Sequence, residues 1–322
     1  MILGVGDMVK TGFYKSLVSE AAFSVSAGLL FVNCSIDVQV NGISIQFKAG
    51  EPVVFSGLVN GRDYAVFATV GGKLVVSDNF TTPEGFTADN SRRIGGFHYQ
   101  DGFINENSIW DLKFKPSCDD PRGMVRTVGG FWADIYLLNT TPDILGTSAY
   151  NAQIADSSSC PKKPAAWGGN GTEQYTTFTQ YIATEVLAAY GKRLPNQHEF
   201  SVLAQGSKTG HVSGSDPVKT KFDVNARSMV GCEQVSGHMW QWGSECWGRY
   251  IGTFWGWNDK DTDGRGQAYA MLGNEGVGAS LFGAYWDHAG LSGSRASRWY
   301  NEPWNSVSYI AARGVCDHVQ LV

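Results

Sequence analysis

The sequence predicts an α+β protein in two parts: a small β-sandwich module over residues 1–120, then a mixed domain over residues 121–322. Three observations carry this. The first 120 residues alternate apolar and polar side chains around Asn-Gly and Gly-Gly pairs and show no helical period. Two segments of helical period stand side by side between Tyr175 and Ala204. Eight of the eleven tryptophans fall between Trp240 and Trp304, in a stretch punctuated by glycine. Large rings in such a stretch act as packing pillars for irregular backbone. At 322 residues two domains are the natural expectation, and 43% hydrophobic residues are ample for a sizeable core.

The strands of the first part follow from local chemistry. Val38 to Phe47 alternates around Asn41-Gly42, a dipeptide that supplies the positive φ angles of a type I′ hairpin. Tyr64 to Val70, Gly71-Gly72 and Lys73 to Ser77 repeat the arrangement. The pattern changes after Asp119-Asp120-Pro121-Arg122-Gly123. Phe131 to Leu138 has the run of a buried strand, and a polar loop follows from Asn139 to Gly171. Tyr175, Phe178, Ile182, Val186 and Ala189 fall on one helical face, with Gly191 placed to end the helix. Asn196-Gln197-His198-Glu199 matches a capping box that opens a second helix, with Phe200 and Leu203 facing the core.

Composition excludes several classes of function. Charged residues are 17% of the chain, the net charge is -5, and no basic stripe exists, so nucleic acid is not an expected partner. Ala21 to Cys34 is too short and too rich in serine to span a bilayer, so no membrane insertion is expected. Met1 to Lys10 has neither a basic start nor an apolar core and does not read as a secretory signal. A protein of this kind that works outside the cell would leave by another route, such as lysis. Cys34, Cys118, Cys160, Cys232, Cys246 and Cys316 include no C-x-x-C pair, which argues against zinc and for isolated buried thiols, with one or two structural disulfides as the alternative in an oxidising setting. The six histidines show no H-x-x-x-H spacing.

Two helices followed by a long, Trp-rich loop region with short strands is the plan of a C-type lectin fold. Gly191-Lys192-Arg193-Leu194-Pro195 through Phe200, Gly237-His238-Met239-Trp240-Gln241-Trp242 and, more loosely, Ala312-Arg313-Gly314 resemble segments of the formylglycine-generating-enzyme-like branch of that fold. Longer words match elsewhere. Gly95-Gly96-Phe97-His98-Tyr99, Phe131 to Leu138, Leu291-Ser292-Gly293-Ser294-Arg295-Ala296 and Ala312 to His318 resemble the major tropism determinants of temperate phages. These are the variable receptor-binding proteins at tail-fibre tips, related to the variable proteins of diversity-generating retroelements. The resemblance spans nearly the whole chain, beginning about where that family's intermediate β-sandwich would and without its small N-terminal β-prism.

The resemblance implies a host-attachment protein on the virion surface. Its lectin-fold domain would bind a host-surface macromolecule, expected to be a protein, without a required cofactor, and it would assemble as a homotrimer. It implies ligand-binding positions at Tyr285, Asp287 and Ala289, at Arg298, Tyr300 and Asn301, and at Asn305, Val307, Tyr309 and Ile310. Side chains two apart on a strand share a face, so 285/287/289 and 305/307/309 would each present one face outward, with Trp286 turned inward. The family's adenine-directed mutagenesis can yield all ten residues, but not tryptophan or glutamate. Trp286, Trp299, Glu302 and Trp304 are thereby assigned to the frame.

Two other readings have their own residues. Asp259, Asp261 and Asp263, followed by Gly264, have the D-x-D-x-D-G spacing of a calcium loop, in which carboxylate oxygens wrap a hard cation. The twelfth position, ordinarily a bidentate Glu, is Ala270. A calcium-dependent glycan lectin is the function this would support. A formylglycine-generating-type oxidase, or a degenerate descendant of one, needs a pair of active cysteines in the last segment. From Leu281 to Val322 only Cys316 is present, so the chain is not expected to be an enzyme.

Overall fold

The structure is a computed structural model that describes residues 12–248, 254–259, 267–272 and 277–319. The chain divides into two compact units. Unit 1 takes the chain to Ser117 together with Pro121–Arg126 and Asp317–Val322, and unit 2 takes Cys118–Asp120 and Thr127–Cys316. This is finer than one break after residue 120. The last described residues return to unit 1 because Ser117 N–H donates to Asp317 O at 2.8 Å and Val319 N–H donates to Lys115 O at 3.0 Å.

The strands of unit 1 are β1 (Phe13–Lys15), β2 (Phe23–Ser26), β3 (Leu29–Val32), β4 (Ile36–Val40), β5 (Ile43–Phe47) and β6 (Pro52–Val53). They continue with β7 (Arg62–Thr69), β8 (Leu74–Ser77), β9 (Ser91–Gln100), β10 (Phe103–Ile104), β11 (Trp110–Asp111) and β12 (Met124–Arg126). Their sheets run β1-β4-β5, β2-β3-β6 and β10-β9-β7-β8, with β11 also on β9. The first predicted hairpin forms as read: β4 and β5 are joined by Asn41 at φ +48° and Gly42 at φ +79°. The alternation of β4 sends Ile36, Val38 and Val40 into one apolar core with Phe13, Leu30, Val66, Ile94 and Phe97. Gly95-Gly96 is a packing requirement. A Cβ would lie 2.5 Å from Trp110 O at Gly95 and 2.5 Å from Tyr64 O at Gly96.

Unit 2 contains β13 (Trp132–Asp134), helix α1 (Pro142–Leu145), α2 (Gln180–Ala188) and α3 (Gln197–Leu203). Its later strands are β14 (Trp240–Gly248), β15 (Phe254–Asp259), β16 (Gln267–Leu272), β17 (Val277–Phe282), β18 (Ser297–Asn301), β19 (Ile310–Ala311) and β20 (Val315–Cys316). The main sheet is ordered β18-β17-β14-β19, with β19 parallel to β14. β15 pairs with β16, and β13 pairs with β20. The capping box of α3 is complete. Glu199 N–H donates to Asn196 Oδ1 at 2.9 Å, and Asn196 N–H donates to Glu199 Oε2 at 3.0 Å.

Two sequence expectations change. The helix expected from Tyr175 starts at Gln180, because Thr179 takes the cap position and its hydroxyl accepts from Ile182 N–H. Tyr175 and Phe178 precede the helix, although Phe178 is still fully buried against it. The strand expected over Phe131 to Leu138 is continuous through Trp132–Asp134 only, with Leu138 making an isolated bridge to Ser148. Beyond it, the buried arginine Arg313 takes the place of a neighbouring strand. Its guanidinium donates to Asp134 O at 2.7 Å, Ile135 O at 2.6 Å, Glu233 O and Gln241 Oε1. Lys192 donates to Asp134 Oδ1 at 2.6 Å and to Thr147 Oγ1 at 2.7 Å. A Cβ at Gly314 would come within 2.6 Å of Asp134 Oδ2, which explains glycine after Arg313. Among the described residues no helix is long and apolar enough to cross a membrane.

Candidate ligand-binding surface

Most of the ligand-binding positions implied by the resemblance line the edge of the main sheet of unit 2 and the turns beside it. β18 is the edge strand. Ser297 pairs with Phe282, Arg298 with Leu281 and Asn301 with Ala279. Between these pairs two residues of β18, Trp299 and Tyr300, stand against the single Ser280, which is a β-bulge. The extra residue breaks the in-out alternation, and both rings reach the surface, Trp299 at 37% and Tyr300 at 54% exposure. Trp299 packs on Trp247 with ring centroids 5.2 Å apart and donates its indole N–H to Ser297 Oγ. The Arg298 guanidinium lies over the Tyr300 ring at 4.2 Å and donates to its hydroxyl.

A second aromatic group forms around Tyr285. Ala284 has a φ of +68°, unusual for a side chain with a Cβ, and it turns the chain so that Tyr285 bridges to His238. The Tyr285 ring lies 4.9 Å from Tyr309, 4.4 Å from His288 and 5.1 Å from Trp286. Trp286 turns inward, as expected, onto Leu137, Met239 and Ala311. Burial, joined by the negative charge of Asp287, raises the Tyr285 phenol above its ordinary pKa. Burial and then the charge of Arg298 hold the His288 imidazole below its own. Arg298 thus acts on both members of the Tyr285–His288 contact, which links the two aromatic groups electrostatically.

The period-two reading of these segments does not hold. Residues 285–289 form a bridge, a turn and the start of a 3-10 turn, not a strand. Asn305, Val307 and Tyr309 lie in irregular backbone, all half-buried like Ser306 and Ser308 between them. That segment is seated on the start of α2: Phe178 N–H donates to Ser306 Oγ and Gln180 N–H donates to Pro303 O.

Two of the implied positions do not reach solvent. Ile310 is 0% exposed because β19 lies against Trp240 and Gln241 of β14. Asn301 is 2% exposed because the bulge places it on the inner face opposite Ala279. Conversely, Trp299 and Trp304, assigned to the frame, are part of the surface, and Leu291 is exposed as well. No spacing in the sequence signals the bulge that exposes Trp299. Asp287 is exposed, Tyr285 and Arg298 are half-buried, and Ala289 stands in the 3-10 turn Ala289–Leu291.

Comparison with known proteins places this geometry. The chain is 39% identical over 339 aligned residues to the tail fiber receptor-binding protein of Bordetella phage BPP-1, covering 98% of this chain and 87% of that one. This chain belongs to the major tropism determinant family. A family model described as "Mtd second domain" matches residues 21–111, within unit 1. The solved structures of major tropism determinant variants P3c, M1 and U1 superpose with TM-scores of 0.90, 0.89 and 0.89 at 38% identity. Each comparison covers 99% of this chain and 89% of the other. The α+β fold expected from the sequence is therefore the fold of the major tropism determinant structures.

The calcium-loop positions fall mostly beyond the described residues. Asp259 ends β15 opposite Gln267, and Asp261 and Asp263 lie outside the described residues. Among the described residues no group of three His, Cys, Asp or Glu side chains is arranged to hold a metal ion.

Proposed function

We propose that this chain is the receptor-binding, tropism-determining protein of a phage tail fibre, and that unit 2 binds a host-surface protein through the face built by residues 285–309. The observation that carries this is the bulged edge strand. It holds exposed Trp299 and Tyr300 beside Arg298, Tyr285, Asp287 and Tyr309, in a chain 39% identical to a tail fiber receptor-binding protein. Tyrosine and tryptophan give large rigid contact area at low entropic cost, while Arg, Asp and Asn supply directional hydrogen bonds. Such a face suits binding and not catalysis. Assembly as a homotrimer at the fibre tip would multiply a modest single-site affinity.

The face is read as the hypervariable part of the protein, with Trp286, Glu302, Asn301 and Ile310 held constant beneath it. Sequencing the locus in sibling phage isolates tests this. Substitutions are expected at Tyr285, Asp287, Arg298, Tyr300, Asn305, Val307 and Tyr309, beside a near-identical template copy. Uniform codons at those positions, with no template nearby, overturn the variable reading. Binding is tested by presenting the purified chain to a panel of bacterial cells with and without prior protease treatment. Capture that protease abolishes, and that Tyr300→Ala weakens, is the expected result. Capture that survives protease but vanishes with a calcium chelator favours the glycan-lectin alternative through Asp259, Asp261 and Asp263.

A further inference from the structure

Outside the proposed receptor-binding face, one pair of reactive side chains is brought together from distant parts of the sequence. Cys118 and Cys316 are separated by about 200 residues. They are the first and the last residue of unit 2. Both are buried, at 2% and 3% exposure, and neither is joined in a disulfide. Cys316 lies in β20 opposite Trp132, and Cys118 packs against Gly191 with its Sγ 3.3 Å from Asp120 O. Pro116 bridges antiparallel to His318 and Ser117 N–H donates to Asp317 O at 2.8 Å, so the same register carried one residue further sets Cys118 opposite Cys316, a placement that suits the roughly 4.4–6.8 Å Cα separation a disulfide spans.

Their surroundings treat the two sulfurs differently. The neighbouring Cys118 thiol and the positive charge of Lys192 draw the Cys316 thiol down to about 7. The same pairing and burial push Cys118 far up. The Cys118 thiol donates its proton to Asp120 O, which leaves Cys316 as the nucleophile and Cys118 as the resolving thiol. The Lys192 ammonium is itself fixed by Asp134 and Thr147, so the charge beside the sulfurs is a built feature of the interior.

We propose that Cys118 and Cys316 are a disulfide-forming pair that closes unit 2 covalently at its two ends. With hydrogen peroxide as oxidant, Cys316 thiolate attacks one peroxide oxygen, forming an S–O bond and releasing hydroxide. Cys118 sulfur then attacks the Cys316 sulfenic sulfur. The S–S bond forms, the S–O bond breaks, and the departing hydroxide leaves as water with the Cys118 proton. Two electrons pass from the sulfurs to peroxide. A cross-link that encloses so long a loop restricts the unfolded chain far more than the folded one, and so raises stability. The pair stands apart from the proposed receptor-binding face and is independent of it.

The test uses the full chain purified under reductant, treated with hydrogen peroxide, then denatured, alkylated and mapped by mass spectrometry. The expected product is a peptide linking Cys118 to Cys316, with Cys34, Cys160 and Cys232 still alkylated. The expected thermal shift is an increase in Tm of roughly 10 °C, reversed by dithiothreitol and absent in Cys118→Ser. If that variant does not fold, the oxidised and reduced wild-type chains still decide the matter. Alkylation of both thiols after oxidation, conversion to unlinked sulfinic acid, or a linked form that melts no higher than the reduced one overturns the proposal.

Discussion

Unit 1 and unit 2 hold themselves together by different means. The core of unit 1 is mostly apolar, drawn from alternating strands such as Ile36-Asp37-Val38-Gln39-Val40, whose backbone groups pair within the sheets, with a buried Lys15–Asp111 ion pair at 2.7 Å beside it. Unit 2 has an apolar core as well, but much of its buried backbone is irregular and relies on side chains for hydrogen bonds. Arg313 takes three carbonyls, Gln241 donates to Gln234 O and Val235 O, and Lys192 joins Asp134 to Thr147. A regular sheet satisfies its own donors and acceptors. A scaffold that presents turns must supply substitutes from its interior, and each substitute is a single point of failure.

Breaking the comparison at its strongest point means removing Arg313. Arg313→Met preserves much of the volume but leaves buried carbonyls without donors, and we expect a loss of about 3–5 kcal/mol or failure to fold, read by urea denaturation. An unchanged midpoint would show that the polar interior of unit 2 is dispensable. In unit 1 the corresponding test is apolar: Ile94→Ala should cost about 2–5 kcal/mol, and Ile94→Val about 0.5–1.5 kcal/mol. Asn196→Ala removes the cap of α3 and should cost about 1 kcal/mol, with faster amide exchange concentrated in that helix.

A fourth test separates the units by pH. Burial raises the Asp223 carboxyl, but His211 Nε2 at 2.7 Å and His238 Nε2 at 3.2 Å outweigh it and hold the group well below the usual carboxylate range. A depressed carboxylate stabilises the fold above its unfolded pKa and loses that contribution as pH falls toward the folded value. Thermal melts should therefore show unit 2 weakening below about pH 4, and Asp223→Asn should flatten that dependence. The smallest expected effect on stability is at the proposed receptor-binding face. Tyr300→Ala should change unfolding by less than about 0.5 kcal/mol while reducing capture on cells at least tenfold.

The same contrast explains what the sequence could tell. The Asn41-Gly42 hairpin and the Asn196–Glu199 capping box were legible because their physics is local. Phe131 to Leu138 was over-read as strand because an apolar run does not reveal that Arg313, far away in sequence, will satisfy its carbonyls. The Tyr175 helix was over-extended because Phe178 is buried for tertiary reasons while Thr179 sets the start. Asn301 and Ile310 are implied as ligand positions by the resemblance alone, and no local pattern reveals that the bulge of β18 and the pairing of β19 with β14 bury them. The Cys118–Cys316 contact has no sequence signature, since it depends on where β20 ends.

The bulge at Trp299 and Tyr300 carries one more implication, for how this face can change over generations. Exchanging one side chain for another leaves the pairing of Arg298 with Leu281 and of Asn301 with Ala279 intact. Losing one residue from the pair would erase the bulge and restore strict alternation, sending one of the two exposed positions toward the interior. The face therefore accepts new spellings but not a new length, and a mechanism that diversifies it must write substitutions and avoid insertions and deletions.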